Sequence, residues 1–271
     1  ALAHVLDMHQ IPVPASDAVL ITTYLQWMSF AAISLGLSLQ IVVKCGDQSA
    51  IDMVAKYQKW GFAAMIASNL YVCFGGLAAS AWGSGFTQMD AIGIHSWTVL
   101  AGLFCTNLCM TSNGKVKTGK APENSGLKDA FKFNKAPKQY TSCRLGYAMN
   151  LFYGVGIMFF QKELCGLYSF PQSDNAVLRM VSIAWSLALM QAGIVGAAVV
   201  RSHSAKTIYR ITRLNGIMMI AGVFFVATWK TVFTGRGNNA CADAMTGQAV
   251  LYAALAMFAF HAIEGKAQKG W

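Results

Sequence analysis

Charge is what this sequence has least of. Only 12% of its 271 residues are Asp, Glu, Lys or Arg, roughly half the share of a soluble domain. Hydrophobic residues make up 55%. Carboxylates are missing from the long apolar runs, every Asp and Glu falling at a run's end or in a connection. A carrier driven by protons or sodium keeps an acid at membrane depth, because the coupling group must change charge there. That absence weighs against ion-coupled transport and leaves passive carriage open. Proline is also kept out of the runs: Pro12, Pro14, Pro122, Pro137 and Pro171 all lie between them. Broken membrane helices draw on Pro or Gly clusters to free backbone carbonyls, so mostly straight helices are expected. Gly75-Gly76 is the one adjacent glycine pair inside a run.

Reactive motifs are missing too. The seven cysteines contain no CxxC and no zinc-like spacing. Cys105 and Cys109, four apart, read as helix packing and not as metal ligands. Cys165 and Cys241 fall in connections on one side, where a disulfide is permitted. There is no HExxH, no Gly-rich phosphate loop and no nucleophile–base pairing, so neither a metal site nor catalytic residues are assigned. An enzyme is the least favoured class.

What is present is a series of seven apolar runs, at about 18–43, 60–82, 91–111, 145–161, 176–200, 214–233 and 247–263. Runs near 20 residues read as membrane-spanning helices. They do not alternate as barrel strands would. The last run has no mid-span lysine to hold retinal, which excludes a rhodopsin. The net charge of +10 is not spread like a nucleic-acid-binding face. Seventeen of the 21 basic residues follow odd-numbered runs, giving that side a net +12 and the other −2. Lys and Arg concentrate on the inner side of helical membrane proteins, so the N-terminus is expected outside and the C-terminus inside. The basic inner face would attract anionic lipid. Within the long connection 112–143, Leu127 and Phe131 suit a short amphipathic turn on that surface or an ordinary solvated linker.

Letters recur along the chain. "PASDAVL" at 14 is answered by "PQSDNAVL" at 171, Trp27 by Trp185, and Val42-Val43-Lys44 by Val199-Val200-Arg201. Gly61 and Gly216 also correspond, as do "GKVKTGK" at 114 and "GKAQKGW" at 265, with offsets drifting only from 158 to 151. Collinear matches of this kind imply an internal duplication, with runs 1–3 and 5–7 as two copies. The single run between them restores the starting orientation, so both copies run parallel. The expected fold is therefore an all-α integral membrane protein of seven transmembrane helices in a 3+1+3 parallel duplication. Its units are 1–111, 112–170 and 171–271. In topology alone this plan resembles that of the SWEET sugar transporters. The repeated Ser-Asp letters mark helix starts, with Ser16 or Asp17 and Asp174 or Asn175 as N-caps.

Polar groups at depth are the candidate binding residues. His95 and His261 lie in the third and seventh runs, offset in depth by roughly 15 Å on helical rise, so they do not share one metal. Each would bind a tetrapyrrole separately or hydrogen-bond a neighbouring helix. Asn69, Asn107, Asn150, Gln191 and Asn215 would serve interhelical bonds or a bound ligand, and Gln26 and Gln40 belong to the same set. With abundant Met, Phe and Trp they suit chlorophyll-like or carotenoid pigments and structural lipids. "RLNGIMMIAG" and "CRLGYAMN" are similar to the Arg-then-Ala-Met helices of light-harvesting proteins, without the acid that family places before its Arg. The favoured reading is a non-catalytic integral subunit of a bioenergetic or photosynthetic assembly, holding lipid or pigment and docking other membrane subunits. Its expected home is an organelle membrane, thylakoid or mitochondrial inner, or else the plasma membrane. The alternative is a passive or weakly coupled small-solute carrier with a path between the repeats.

Overall fold

A computed structural model describes residues 18–74, 138–170 and 175–264, together with 100, 102–105 and 107. Among these residues are six long helices and a short one. They are α1 (Ala18–Cys45), α2 (Gln48–Phe74), α3 (Lys138–Phe159), α4 (Gln161–Leu167), α5 (Ala176–Ser202), α6 (Ala205–Gly235) and α7 (Asn239–Glu264). Four of them, α1, α5, α6 and α7, are long and apolar enough to cross a membrane. At 1.5 Å per residue each reaches about 40 Å or more, beyond the ~30 Å hydrocarbon core. The chain is a helical, membrane-embedded protein. α2 and α3 fall outside the four because their N-terminal halves are polar: Asp52, Lys56 and Lys59 in α2, and Lys138 to Arg144 in α3.

Three helices start well before their apolar runs. α6 begins at Ala205 and α7 at Asn239, where the runs begin at 214 and 247; α2 begins at Gln48 and not near 60. The reason is local capping. Asp47 Oδ1 accepts from the Ser49 backbone N–H at 3.0 Å, Ser204 Oγ from Thr207 N–H at 3.2 Å and Asn238 Oδ1 from Cys241 N–H at 3.1 Å. Asn175 caps α5 in the same way, accepting from Val177 N–H at 2.8 Å. A cap satisfies orphan N–H donors wherever it stands, so helix begins at the cap and not at the lipid boundary. The preceding helices stop with equal economy. Gly46, His203 and Gly237 adopt left-handed φ values of 63°, 55° and 76°. The connections are thereby reduced to two or three residues. The expected connections at 44–59 and 201–213 are instead turns followed by helix.

α5 is the central helix, packing against α1, α2 and α3, while α6 and α7 pair along their lengths. α1 and α5 run side by side in the same direction. Leu20 and Ile21 meet Val177 and Leu178 at one end, and Val42 meets Val195 and Val199 at the other. The second of these clusters joins α2, α3 and α6 through Met53, Tyr140 and Ile208. It closes the basic end of the bundle, where Lys44, Lys138, Arg201 and Lys206 also lie. At the far end Trp27, Trp229, Phe233 and Met245 bring α1, α6 and α7 together.

The α3–α5 contact depends on glycine. A Cβ on Gly154 would stand 3.1 Å from the Ser186 carbonyl oxygen and 3.1 Å from Met190 N, and one on Gly196 would stand 2.7 Å from Tyr147 Cβ. Ser186 Oγ uses the proximity to donate to Gly154 O at 2.6 Å. Gly61 and Gly216 sit at contacts as well, against Gln191 of α5 and Phe260 of α7 respectively. Arg179 caps the end of α3, its guanidinium donating to the carbonyls of Ile157 (3.4 Å) and Met158 (2.7 Å), a favourable use of a cation at a helix C-terminus.

The turns between α1 and α2 and between α5 and α6 meet at the basic end. Ser49 Oγ, which donates to Asp47 Oδ1 at 2.7 Å, shares that proton with Ser202 O at 3.4 Å, and Lys206 Nζ donates to Cys45 O at 3.2 Å. Ser49 and Lys206 are 157 positions apart, and so are Cys45 and Ser202. The two bonds are thus reciprocal.

Candidate functional site

The tight ends leave a cavity of about 140 Å³ between α1, α3, α5, α6 and α7, with α4 over its far end. Its lining follows α3 from Ser142 to Ile157 and α7 from Ala259 to Met245. Fifteen residues of helix correspond to about 22 Å, so the space is a slot that follows most of the hydrocarbon thickness. Among the described residues, no Asp, Glu, Lys, Arg or His lines it.

Aromatic side chains of α1 and α5 line part of the slot, with Phe225 of α6 packed behind them. Trp27 of α1 and Trp185 of α5 stack with centroids 5.9 Å apart and planes at 26°. Phe225 of α6 stands edge-on to Trp27 at 4.8 Å and parallel to Phe30 at 5.8 Å. Tyr24 meets Trp185 edge-on at 5.4 Å. Such pairs fix ring orientation and present flat apolar walls. Met149, Met218, Met219 and Met245 complete the shaft, and unbranched thioethers adjust to an irregular ligand surface.

Polar groups gather toward the two ends of the shaft. At the far end the Tyr153 and Tyr168 hydroxyls share a hydrogen bond of 2.6 Å, and Tyr168 donates to Gln248 Oε1 at 3.0 Å. The Tyr24 hydroxyl pairs with the Cys165 thiol beside them, and Gln161 also faces the space. Toward the basic end stand Asn215, half-buried, and Ser142, with the half-buried Asn150 midway along α3. Gly146 makes room for the Asn215 amide, since a Cβ there would be 2.8 Å from Asn215 Nδ2. An amide supplies two donors and a carbonyl acceptor, so these groups recognise neutral hydroxyl, carbonyl or ether functions.

Of the residues singled out from sequence, the cavity brings together Asn150 and Asn215. Gln191 turns instead to α2, where its Oε1 accepts from Gln58 Nε2 at 3.2 Å. Asn69 donates to the Met65 carbonyl of its own helix at 2.8 Å. Asn107 is exposed and is not part of the lining. His261 does not sit at depth. It is exposed at the basic end of α7, with Nε2 2.8 Å from Lys138 Nζ and Nδ1 3.7 Å from Glu264. His95, Gly75-Gly76, Leu127, Phe131, Ser16 and Asp17 lie outside the described residues. Arg144, read as a loop residue, is instead buried within α3. Cys165 and Cys241 are both free thiols.

Sequence reasoning missed Tyr153, Tyr168, Gln161 and Gln248. Nothing in one sequence shows that residues 15 and 80 positions apart converge. No family model, curated protein or solved structure matches this chain.

Proposed function

We propose that this protein is a non-catalytic, membrane-embedded subunit that holds one elongated, uncharged amphipathic molecule, a lipid or a carotenoid-like pigment, in the slot between its helices. The observation that carries the reading is the shape and chemistry of the slot: about 140 Å³ drawn out along α3 and α7, with a Trp, Phe and Met shaft and neutral hydrogen-bonding groups toward both ends. An apolar lining with few convergent polar groups is that of a ligand site, and a volume of about 140 Å³ takes one segment of a chain-like molecule. A chain-like ligand would lay its tail along Trp27, Met149 and Met219, with neutral polar groups at Asn150 and Asn215 or at Tyr168 and Gln248. A planar tetrapyrrole ligated by His261 fits less well, because that imidazole stands outside the slot on the exposed side of α7.

Seven spans in a 3+1+3 parallel duplication, N-terminus out, remain part of the proposal. The parallel α1–α5 pair, the left-handed Gly46 and His203 at matching turns and the reciprocal turn contacts support it. Other integral membrane subunits are the proposed partners, and a thylakoid or mitochondrial inner membrane the proposed setting.

The test is native purification followed by lipid extraction, mass spectrometry and an absorption spectrum. One chain-like molecule should co-purify near one per protein. Asn150→Leu with Asn215→Leu should lower its retention at least about fivefold, since the ligand's polar group is then buried unpaired. The slot also lies beside the parallel α1–α5 pair, which favours a second reading as a passive carrier of a neutral solute. Saturable uptake into liposomes by the purified protein alone, lost in the same variant, would decide for that reading.

A further inference from the structure

On the side away from the slot, α6 and α7 leave a second hollow of about 920 Å³. Its walls are Ile220, Val223 and Phe224 from α6 and Ala253 and Met257 from α7. Phe224 is 70% exposed and Met257 68%. Both helices are apolar enough to cross a membrane, so these side chains face hydrocarbon or something that replaces it.

The hollow changes character at its basic end. Tyr209, Arg213, His261 and Glu264 line it there. Arg213 is exposed and stands immediately before the apolar run 214–233, which is headgroup height. From Arg213 to Phe224 the helix rises about 16 Å, the depth of one leaflet of a ~30 Å core. Lys138 of α3 reaches the same place, its Nζ 2.8 Å from His261 Nε2. Against these two cations stands one carboxylate, Glu264, 3.7 Å from the other nitrogen of the same imidazole. The end therefore keeps an excess of positive charge beside a phenol.

We propose that this hollow is a binding site for an anionic phospholipid, its phosphodiester held by Arg213, with Lys138 and Tyr209 beside it, and one acyl chain lying against Val223, Phe224 and Met257. A guanidinium recognises phosphate oxygens with paired N–H donors, and a basic pocket between helices on the inner side suits such headgroups. A partner helix fits less well, because close helix approach uses small residues and the rim here is Phe224 and Met257. The site is separate from the slot and does not depend on what the slot holds.

The test uses the full chain, delipidated in detergent and titrated with phosphatidylglycerol or phosphatidylcholine under native mass spectrometry. Wild-type protein should retain phosphatidylglycerol preferentially. Arg213→Gln should reduce that preference about fivefold, from ~1 kcal/mol per basic residue at the membrane surface, while Arg213→Lys keeps most of it. Met257→Trp, at a side chain that packs outside the core, should block retention without shifting the unfolding temperature. Equal retention of the two lipids by wild type overturns the proposal. Displacement of the lipid by glycerol phosphate at equal concentration also overturns it, in favour of a free-phosphate site, as does a co-purified protein segment that excludes lipid from the hollow.

Discussion

Asp47 shows how much one side chain can set. It stands at the turn into α2, where burial tends to raise its pKa. Hydrogen bonds from the Ser204 and Ser49 side chains and from the Ser49 and Ala50 amides outweigh that, and the net effect holds the carboxyl below its ordinary value. A depressed folded-state pKa contributes stability that is present above the unfolded value near 3.9 and is lost as pH falls through the folded one. Asp47→Asn keeps a capping side chain and removes the titration, so unfolding followed against pH should lose part of its acid dependence below about pH 4. Asp47→Ala should cost about 1 kcal/mol at neutral pH through the lost cap. His203, at the matching turn, shifts downward through burial and then through Arg144 and Arg201 nearby. It too favours the structure above its ordinary pKa and weakens it as pH falls through the lowered one.

The residue scale is also where the site was least legible. Asn150, Asn69 and Gln191 look alike in sequence, an amide inside an apolar run. Only the facing of each helix separates a cavity amide from one satisfied by its own backbone or by α2. Facing is a tertiary property, and hydrophobic periodicity cannot supply it when a helix is apolar all round.

Among the described elements, the existence of the six long helices was legible and their extent was not. Apolar runs record where lipid lies, while hydrogen bonding carries α2, α6 and α7 past that boundary until a cap or a left-handed residue ends them. Lys56, Lys59, Arg210 and Arg213 are consequently helical residues. Their charge was read as marking connections, and it falls on helix instead. The α3–α5 contact yields a test at this scale. Gly154→Val should destabilise the protein by about 1–3 kcal/mol, the cost of overpacking, because backbone atoms of α5 block the new side chain. Gly166→Ala, whose Cβ would meet nothing within 4 Å, should leave the denaturation midpoint in detergent unchanged.

For the whole molecule, composition and charge distribution pointed to a helical membrane protein, and four apolar spans bear that out. The turn at Gly46-Asp47 and the turn at Arg236–Asn238 lie at opposite ends of the bundle, the first against the α5–α6 turn and the second beside the Trp27 cluster. Single cysteines introduced at Gln48 and at Asn238 should therefore label from opposite sides of a sealed vesicle. Labelling from one side would refute the arrangement of spans.

The reciprocal bonds between the α1–α2 and α5–α6 turns have a meaning in the language of symmetry. Two separate copies of a chain meeting about a twofold axis would make this contact from identical residues, and any substitution there would be counted twice. Here the donors differ, a hydroxyl on Ser49 and an ammonium on Lys206, each reaching a main-chain carbonyl. A single polypeptide is released from the obligation to match itself. One side of the join can be retuned, charged or neutralised while the other goes on holding.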